Sequence, residues 1–305
     1  MSLSTDNSAI HNIGYRRYDG PRLGRRHAAK AIYGQTLRGA FGIGRGIGGK
    51  LFPWLLASAA LFPALVIVIV QASVFSDPDV DPEALVGLNH YTTFIVAVPM
   101  LFVASQAPQA FSRDLRFHTL PLYFSRQVNH HDYTNARLLG LWTAVSILLL
   151  APLTMLYLGG LAISLPVGEW SAGFVGSAVS VLLLTAMLTV IGALIASITP
   201  RRGLGVVAVI SVLLGSYTVA QFLQAMGHAF GNEQTSAWMG VFSPVSIYDG
   251  VQSFLFQGAP FNFESFMIAP TPTPAAGIFL ILVALGIVFG CRQLLILRYR
   301  KVAAS

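Results

Sequence analysis

Residues 51–70 read LFPWLLASAALFPALVIVIV, with no charged residue and no histidine. A helix rises 1.5 Å per residue, so about 20 apolar residues cross roughly 30 Å of hydrocarbon, and this stretch is long enough to do so alone. Five further stretches meet the same requirement: Tyr91–Phe111, Leu138–Leu165, Ala172–Ile198, Gly203–Met226 and Pro274–Cys291. The third and fourth of the six exceed the minimum and are expected to tilt or emerge into water. The expected fold class is an all-α integral membrane protein with six transmembrane helices.

Composition agrees. Of 305 residues, 54% are hydrophobic and only 10% charged, against about 25% charged in ordinary soluble domains, which excludes a soluble enzyme. The single cysteine, Cys291, excludes a disulfide framework and any four-cysteine metal site, and it reads as a small apolar filler.

If every stretch crosses once, the connecting segments alternate between the two membrane faces, and the charges separate with them. Residues 1–50, 112–137, 199–202 and 292–305 hold all 19 Lys and Arg, while residues 71–90, 166–171 and 227–273 hold none. The second set carries Asp77, Asp79, Asp81, Glu83, Glu169, Glu233, Asp249 and Glu264, so the balance is +15 on one face and −8 on the other. Positive loops stay cytoplasmic, which puts both termini inside and the acidic segments outside. The organisation expected is a basic tail and amphipathic connecting helix over 1–50, a six-span domain over 51–291, and a basic tail over 292–305. No cleavable signal is expected, since residues 1–50 are polar and basic.

The six stretches contain no Asp, Glu, Lys, Arg or His. Gradient-driven carriers usually keep an ionisable relay in the membrane, and an intramembrane hydrolase needs a buried base, so both classes lose weight. Backbone carbonyls of broken helices can still bind sodium, which keeps a carrier in consideration. Gln106, Gln109 and Gln221 enter the spans and are expected to bond between helices rather than to touch substrate.

Gly44, Gly49 and Lys50 match the spacing of a phosphate-binding loop, and Gly44, Gly46 and Gly49 match G-x-G-x-x-G. Leu51 stands where the first motif needs Ser or Thr, and a membrane span follows where both need a strand before them, so a glycine-rich hinge is the better account. Ahead of it, Ala29, Tyr33, Leu37, Ala40, Phe41 and Gly44 share one helical face, with Lys30, Gln35, Arg38 and Arg45 elsewhere around the axis. That pattern suits a helix lying along the anionic inner leaflet. Upstream, YRRYDGPRLGRR from Tyr15 to Arg26 fits lipid headgroups, an acidic partner or a solvated tail equally well. His130 and His131 are adjacent, project about 100° apart on a helix and make a poor chelate; no metal is expected, and no nucleic-acid partner.

After the second span comes FSRDLRFHTLPLYFSRQVNHHDYTNARLLG, from Phe111 to Gly140. A plain connector has no need of exposed Phe117, Leu120, Leu122, Tyr123 and Phe124, so the segment suits either protein docking or an aromatic belt at the interface. Here the chain resembles the ABC-2 type permeases, membrane subunits of ATP-driven exporters. The resemblance rests on Arg113, Asp114 and Arg116 after the span, then Thr119 and Leu120, then Ser125 and Arg126, and Arg137 at the start of the third span. Where the family usually has glutamates and a glycine, this chain has Asp114 and His118.

That resemblance implies a multi-pass permease of the bacterial cytoplasmic membrane, with no catalytic residue of its own. It would pair with a second copy or a homologue and sit on two ATP-binding subunits, which would carry ATP and magnesium. The segment 112–137 would be the coupling segment through Arg113, Asp114, Arg116, Phe117, Thr119, Leu120, Tyr123, Phe124, Ser125 and Arg126, with Arg201 and Arg202 as a lesser contact. Charged replacements at Phe117, Leu120, Tyr123 and Phe124 would abolish docking. The outer segment 227–273, with FSPVSIYDGVQSFLF at Phe242–Phe256, would dip into the membrane as a re-entrant helix, although an amphipathic helix on the outer surface fits nearly as well. Internal spans without charge suit an amphipathic or hydrophobic cargo such as a drug, an antibiotic peptide or a lipid. A membrane-integral sensor or assembly protein, or a gradient-driven carrier, is the alternative.

Overall fold

The computed structural model describes residues 20, 23–74, 88–117, 119–125, 128–163, 165, 167–199, 201–230, 236, 238–256 and 273–304. Among them there is no strand. The helices in chain order are α1 (Arg25–Ala40), α2 (Ile47–Val74), α3 (Leu88–Phe94), α4 (Ala97–Arg116), α5 (Leu120–Phe124), α6 (His130–Ala162), α7 (Val167–Ile198), α8 (Arg202–Ala229), α9 (Pro244–Phe256) and α10 (Pro274–Ala304). The acids Asp77, Asp79, Asp81, Glu83, Glu233 and Glu264, and the basic residues 16, 17 and 22, lie outside the described residues.

Five helices are long and apolar enough to cross a membrane: Ile47–Ser73, His130–Ala162, Val167–Ile198, Gly203–Gly227 and Pro274–Lys301. The protein is therefore a multi-pass helical membrane protein. The stretch 91–111 expected as a second span differs, being divided between α3 and α4 with a break at Ile95 and Val96. Pro99 explains the break, because its ring clashes with the carbonyl four residues earlier, at Ile95. Helix α4 is less apolar than the five because it carries Ser105, Gln106, Gln109 and Ser112 and ends in Arg113, Asp114 and Arg116. With twelve of its 20 residues buried, it seats much of this polarity against protein.

Helices α4, α6 and α7 pack on one another at the centre of the bundle. In α6 and α7, 56% and 61% of the apolar window is buried, against 17% to 22% in α2, α8 and α10. These last three form the outer layer: α2 lies on α6, α8 on α4 and α7, and α10 on α7 and α6. On α2, Pro63 leaves the Ala59 carbonyl without its donor, and at the adjacent carbonyl, Ala60, the Tyr91 hydroxyl of α3 donates a hydrogen bond.

Helix α1 rests against α6 and α4. Ile32, Thr36 and Ala40 are buried there, and Ala29, Tyr33, Leu37 and Phe41 pack on the core. The face expected to meet the inner leaflet is thus covered by protein. Gly140 permits the close approach, since a Cβ there would stand 2.8 Å from the Thr36 Cβ and 2.9 Å from the Tyr33 carbonyl oxygen. Gly140→Leu is therefore expected to push α1 off α6 at a cost of about 1–3 kcal/mol. Loss of a disulfide engineered between the two helices, together with a lower unfolding temperature, would show it.

Far from α1, Ser243 and Pro244 start α9. The Ser243 hydroxyl accepts the Val245 N–H at 3.2 Å, and proline suits the first helical turn because its missing donor would be unsatisfied anyway. Val245, Ile247, Tyr248 and Val251 are buried where α9 packs on α7, α10 and α8. Asp249 of α9 accepts a 2.7 Å hydrogen bond from the Thr93 hydroxyl of α3. The chain therefore runs through α3 and α4 from the end marked by α9 to the end marked by Asp114.

Candidate functional site

Basic residues gather at the second of these ends. There α4 finishes with Arg113, Asp114, Leu115 and Arg116, and the chain reverses over Phe117 and Thr119. The Phe117 N–H bonds to the Arg113 carbonyl at 3.1 Å and the Thr119 N–H to the Asp114 carbonyl at 3.1 Å. Pro121 then pre-sets the first turn of α5, whose N–H groups have no helical partner to lose.

Asp114 and Arg137, one from each side of this turn, form a buried ion pair. Removing two charges from water is costly unless both find close partners. The Tyr133 hydroxyl donates to the same Asp114 carboxylate oxygen at 2.5 Å, and the Arg137 guanidinium lies 5.2 Å from the centroid of the Tyr133 ring. Around Tyr133 stand the rings of Tyr123, Phe124 and Tyr299, at 5.3, 6.0 and 5.4 Å between centroids. Tyr299 closes the arrangement by donating to the Phe111 carbonyl at 3.2 Å. One charge pair and an aromatic box thus join α4, α5, α6 and the last turns of α10.

Further bonds tie the ends of the other helices to this cluster. The Ser112 hydroxyl donates to the Ala196 carbonyl at 2.5 Å. Arg298 donates to the Ser197 carbonyl at 2.8 Å, where a cation suits the unpaired carbonyls at the end of α7. Arg292 donates to the Asn135 side-chain oxygen at 3.0 Å. Arg25 of α1 binds Asp132 at the start of α6, with one contact at 2.9 Å, and this carboxylate raises the guanidinium pKa above its ordinary value.

The residues expected to contact a partner divide into two groups. Leu120 is turned inward at 1% exposure, while Tyr123 and Phe124 are half-buried against Tyr133. Phe117 and Leu122, at 62% and 68% exposure, form the outward apolar tip, flanked by exposed Arg113, Arg116, Pro121 and Ser125. Arg116 stacks on Phe117, 5.6 Å from the ring centroid. Thr119 serves the turn, and Arg126 lies outside the described residues, as does His118. Arg201 is exposed ahead of α8, and Arg202 begins that helix.

Sequence reasoning missed Tyr133 and Tyr299. A spacing of four residues placed Tyr133 and Arg137 on one face of a helix, but nothing in the sequence placed Tyr299 beside them. The Gly-rich hinge also holds more than a bend. Gly42 has φ +69° and would bring a Cβ within 2.4 Å of the Gly49 carbonyl oxygen, a turn open only to glycine. It directs Arg45 toward α4, where Arg45 donates to the side-chain oxygen of Gln109.

Compared with known proteins, the sequence matches no family model, and neither a curated protein nor a solved structure is significantly similar to it.

Proposed function

We propose that the chain is the permease subunit of an ATP-driven ABC exporter of the ABC-2 type, coupled to a separate ATP-binding subunit. The observation that carries the reading is α5: a short helix with an exposed apolar tip, backed by a charge pair and aromatic box that bind it to three other helices. Push such a helix and the packed ends of α4, α6 and α10 must move with it, because packed cores shift between discrete arrangements rather than deforming continuously. An exposed phenylalanine and leucine beside arginines are the groups a protein groove takes up.

In this reading α3 and α4 together make the sixth crossing, with both termini and α5 on the cytoplasmic side, a placement that the separation of charge supports. Helix α9 dips into the outer leaflet between α7, α8 and α10. A second copy or a homologue completes the path for an amphipathic or hydrophobic cargo, two ATP-binding subunits carry ATP and magnesium, and the complex works in the bacterial cytoplasmic membrane.

Purifying the tagged chain from its native host in mild detergent tests the proposal. A soluble ATP-binding protein is expected to accompany it in equal amount, with ATP hydrolysis that responds to changes in α5. Recovery of the intact chain without such a partner, repeated in several detergents, would give precedence to a sensor, assembly protein or gradient-driven carrier.

A further inference from the structure

Two adjoining hollows open beside α5. One, of about 70 Å³, is walled by Gln35, Thr36 and Gly39 of α1, by Gln106 and Gln109 of α4, and by Arg137. The other, of about 350 Å³, lies between the hinge and α4 and includes Ser112, Arg116 and Phe117. Arg45, Gln109 and Arg113 line both, so the two form one cleft. Four guanidiniums, from Arg45, Arg113, Arg116 and Arg137, line this cleft with a single carboxylate, that of Asp114. The excess is +3. Asp114 is already engaged by Arg137 and Tyr133, while the Nε of buried Arg137 has no hydrogen-bond partner. Such a site attracts an anion with several acceptor oxygens, since guanidinium forks match a phosphate better than they match a point charge.

The hinge fixes the site. The stem of Arg45 lies against Gly49, where a Cβ would stand 3.0 Å from its own Cβ, and its guanidinium lies against Gly39, where a Cβ would stand 3.4 Å away. Arg45 is thus clamped between α1 and α4 with its cationic end in the cleft. On either side of it in the chain, Ile43 and Ile47 are exposed at 54% and 85%, and Leu51 follows on α2 at 66%. Exposed aliphatic groups at the start of a span belong in the membrane interface, which places the mouth of the cleft at the level of lipid headgroups.

From this geometry we infer that the cleft between the glycine hinge and α4 binds the phosphate of an anionic phospholipid from the adjoining leaflet. The inference does not depend on ATP-driven export and would hold for a sensor or a carrier. The phosphate lies among Arg45, Arg113 and Arg116, and the acyl chains run down the apolar start of α2. A lipid held there touches the hinge, α4 and the turn into α5, so its presence stiffens the end of the bundle that carries the coupling helix.

Native mass spectrometry of the full chain in detergent tests this, with dioleoylphosphatidylglycerol, dioleoylphosphatidylcholine and inorganic phosphate as separate probes. Arg113→Gln with Arg116→Gln is the informative variant, because both residues are exposed and neither holds the hinge. Phosphatidylglycerol retention is expected to weaken about tenfold to thirtyfold in this variant, with phosphatidylcholine retention unchanged. Arg26→Gln with Arg38→Gln, which removes two exposed charges from α1, should leave phosphatidylglycerol retention as in the wild type. Equal losses in the two variants would reduce the effect to diffuse attraction and overturn the site. Displacement of the lipid by millimolar inorganic phosphate would assign the cleft to a soluble phosphate compound and overturn the lipid assignment. Unchanged lipid retention in the Arg113/Arg116 variant, with loss of the ATP-binding protein, would give the cleft to that protein instead.

Discussion

If the chain is the permease proposed above, replacing Phe117 and Leu122 together by glutamate is expected to abolish association with its ATP-binding subunit and ATP-driven transport, while the bundle stays folded. Both side chains are largely exposed, so neither substitution buries a charge inside the bundle or opens a cavity. Their cost falls on the complex. Truncating an apolar anchor at the centre of an interface costs about 2 kcal/mol or more, and seating a carboxylate in an apolar groove adds a desolvation penalty of several kcal/mol. Two such sites together weaken association by about a thousandfold or more. The measurement is the stoichiometry of any ATP-binding protein that accompanies the chain after affinity purification, with the unfolding temperature of the bundle as control. An unchanged temperature and an absent partner are the expected pair of results. Normal association of this variant would remove α5 from the interface. Leu120→Glu separates surface from core, because Leu120 is buried and its charged variant should lower the unfolding temperature whether or not a partner binds.

That contrast marks how far the sequence could be read. Five of the six expected spans appear as helices long and apolar enough to cross, because a crossing segment must be apolar over most of its length and so announces itself by hydropathy. Helix α4 is harder to read. It carries serines and glutamines along its length and ends in Arg113, Asp114 and Arg116, and Pro99 breaks it from α3. At the candidate site, the sequence shows that the segment 112–137 mixes charge and aromatic groups, but it cannot show which of these face outward. Leu120 and Leu122 look alike in a string, and the two-residue step between them turns one into the core and the other into solvent. The Asp114–Arg137 pair joins residues 23 positions apart, and Tyr299 reaches the same cluster from nearly two hundred residues away. Only the packing of α10 along α7 and α6 brings Tyr299 there.

Asp114→Asn is expected to destabilise the bundle by about 3–5 kcal/mol, because it leaves the Arg137 guanidinium buried without its counter-charge. Since whole proteins are stable by only about 5–15 kcal/mol, a large share of the bundle's margin would go with one oxygen atom. Arg137→Met should cost a similar amount, leaving a buried carboxylate with the Tyr133 hydroxyl as its main donor. Combining Asp114→Leu with Arg137→Met removes both charges and should recover most of the stability, as replacement of a buried ion pair by apolar groups often does. Unfolding temperatures of the three variants measure this. The losses should persist at high salt, because ions screen a buried pair poorly. If the chain is the exporter permease proposed above, transport then distinguishes two roles for the pair. Were it only a fastener for α4 and α6, the stable double variant would transport normally. We expect instead that it binds the ATP-binding subunit and supports ATP hydrolysis by that subunit without moving cargo, because α5 would then rest on an apolar contact that slips where the charge pair and its tyrosine hold α4 and α6 to one geometry. A double variant that is stable and transports at the wild-type rate would place the force path elsewhere, through the Ser112 and Arg298 contacts to the end of α7.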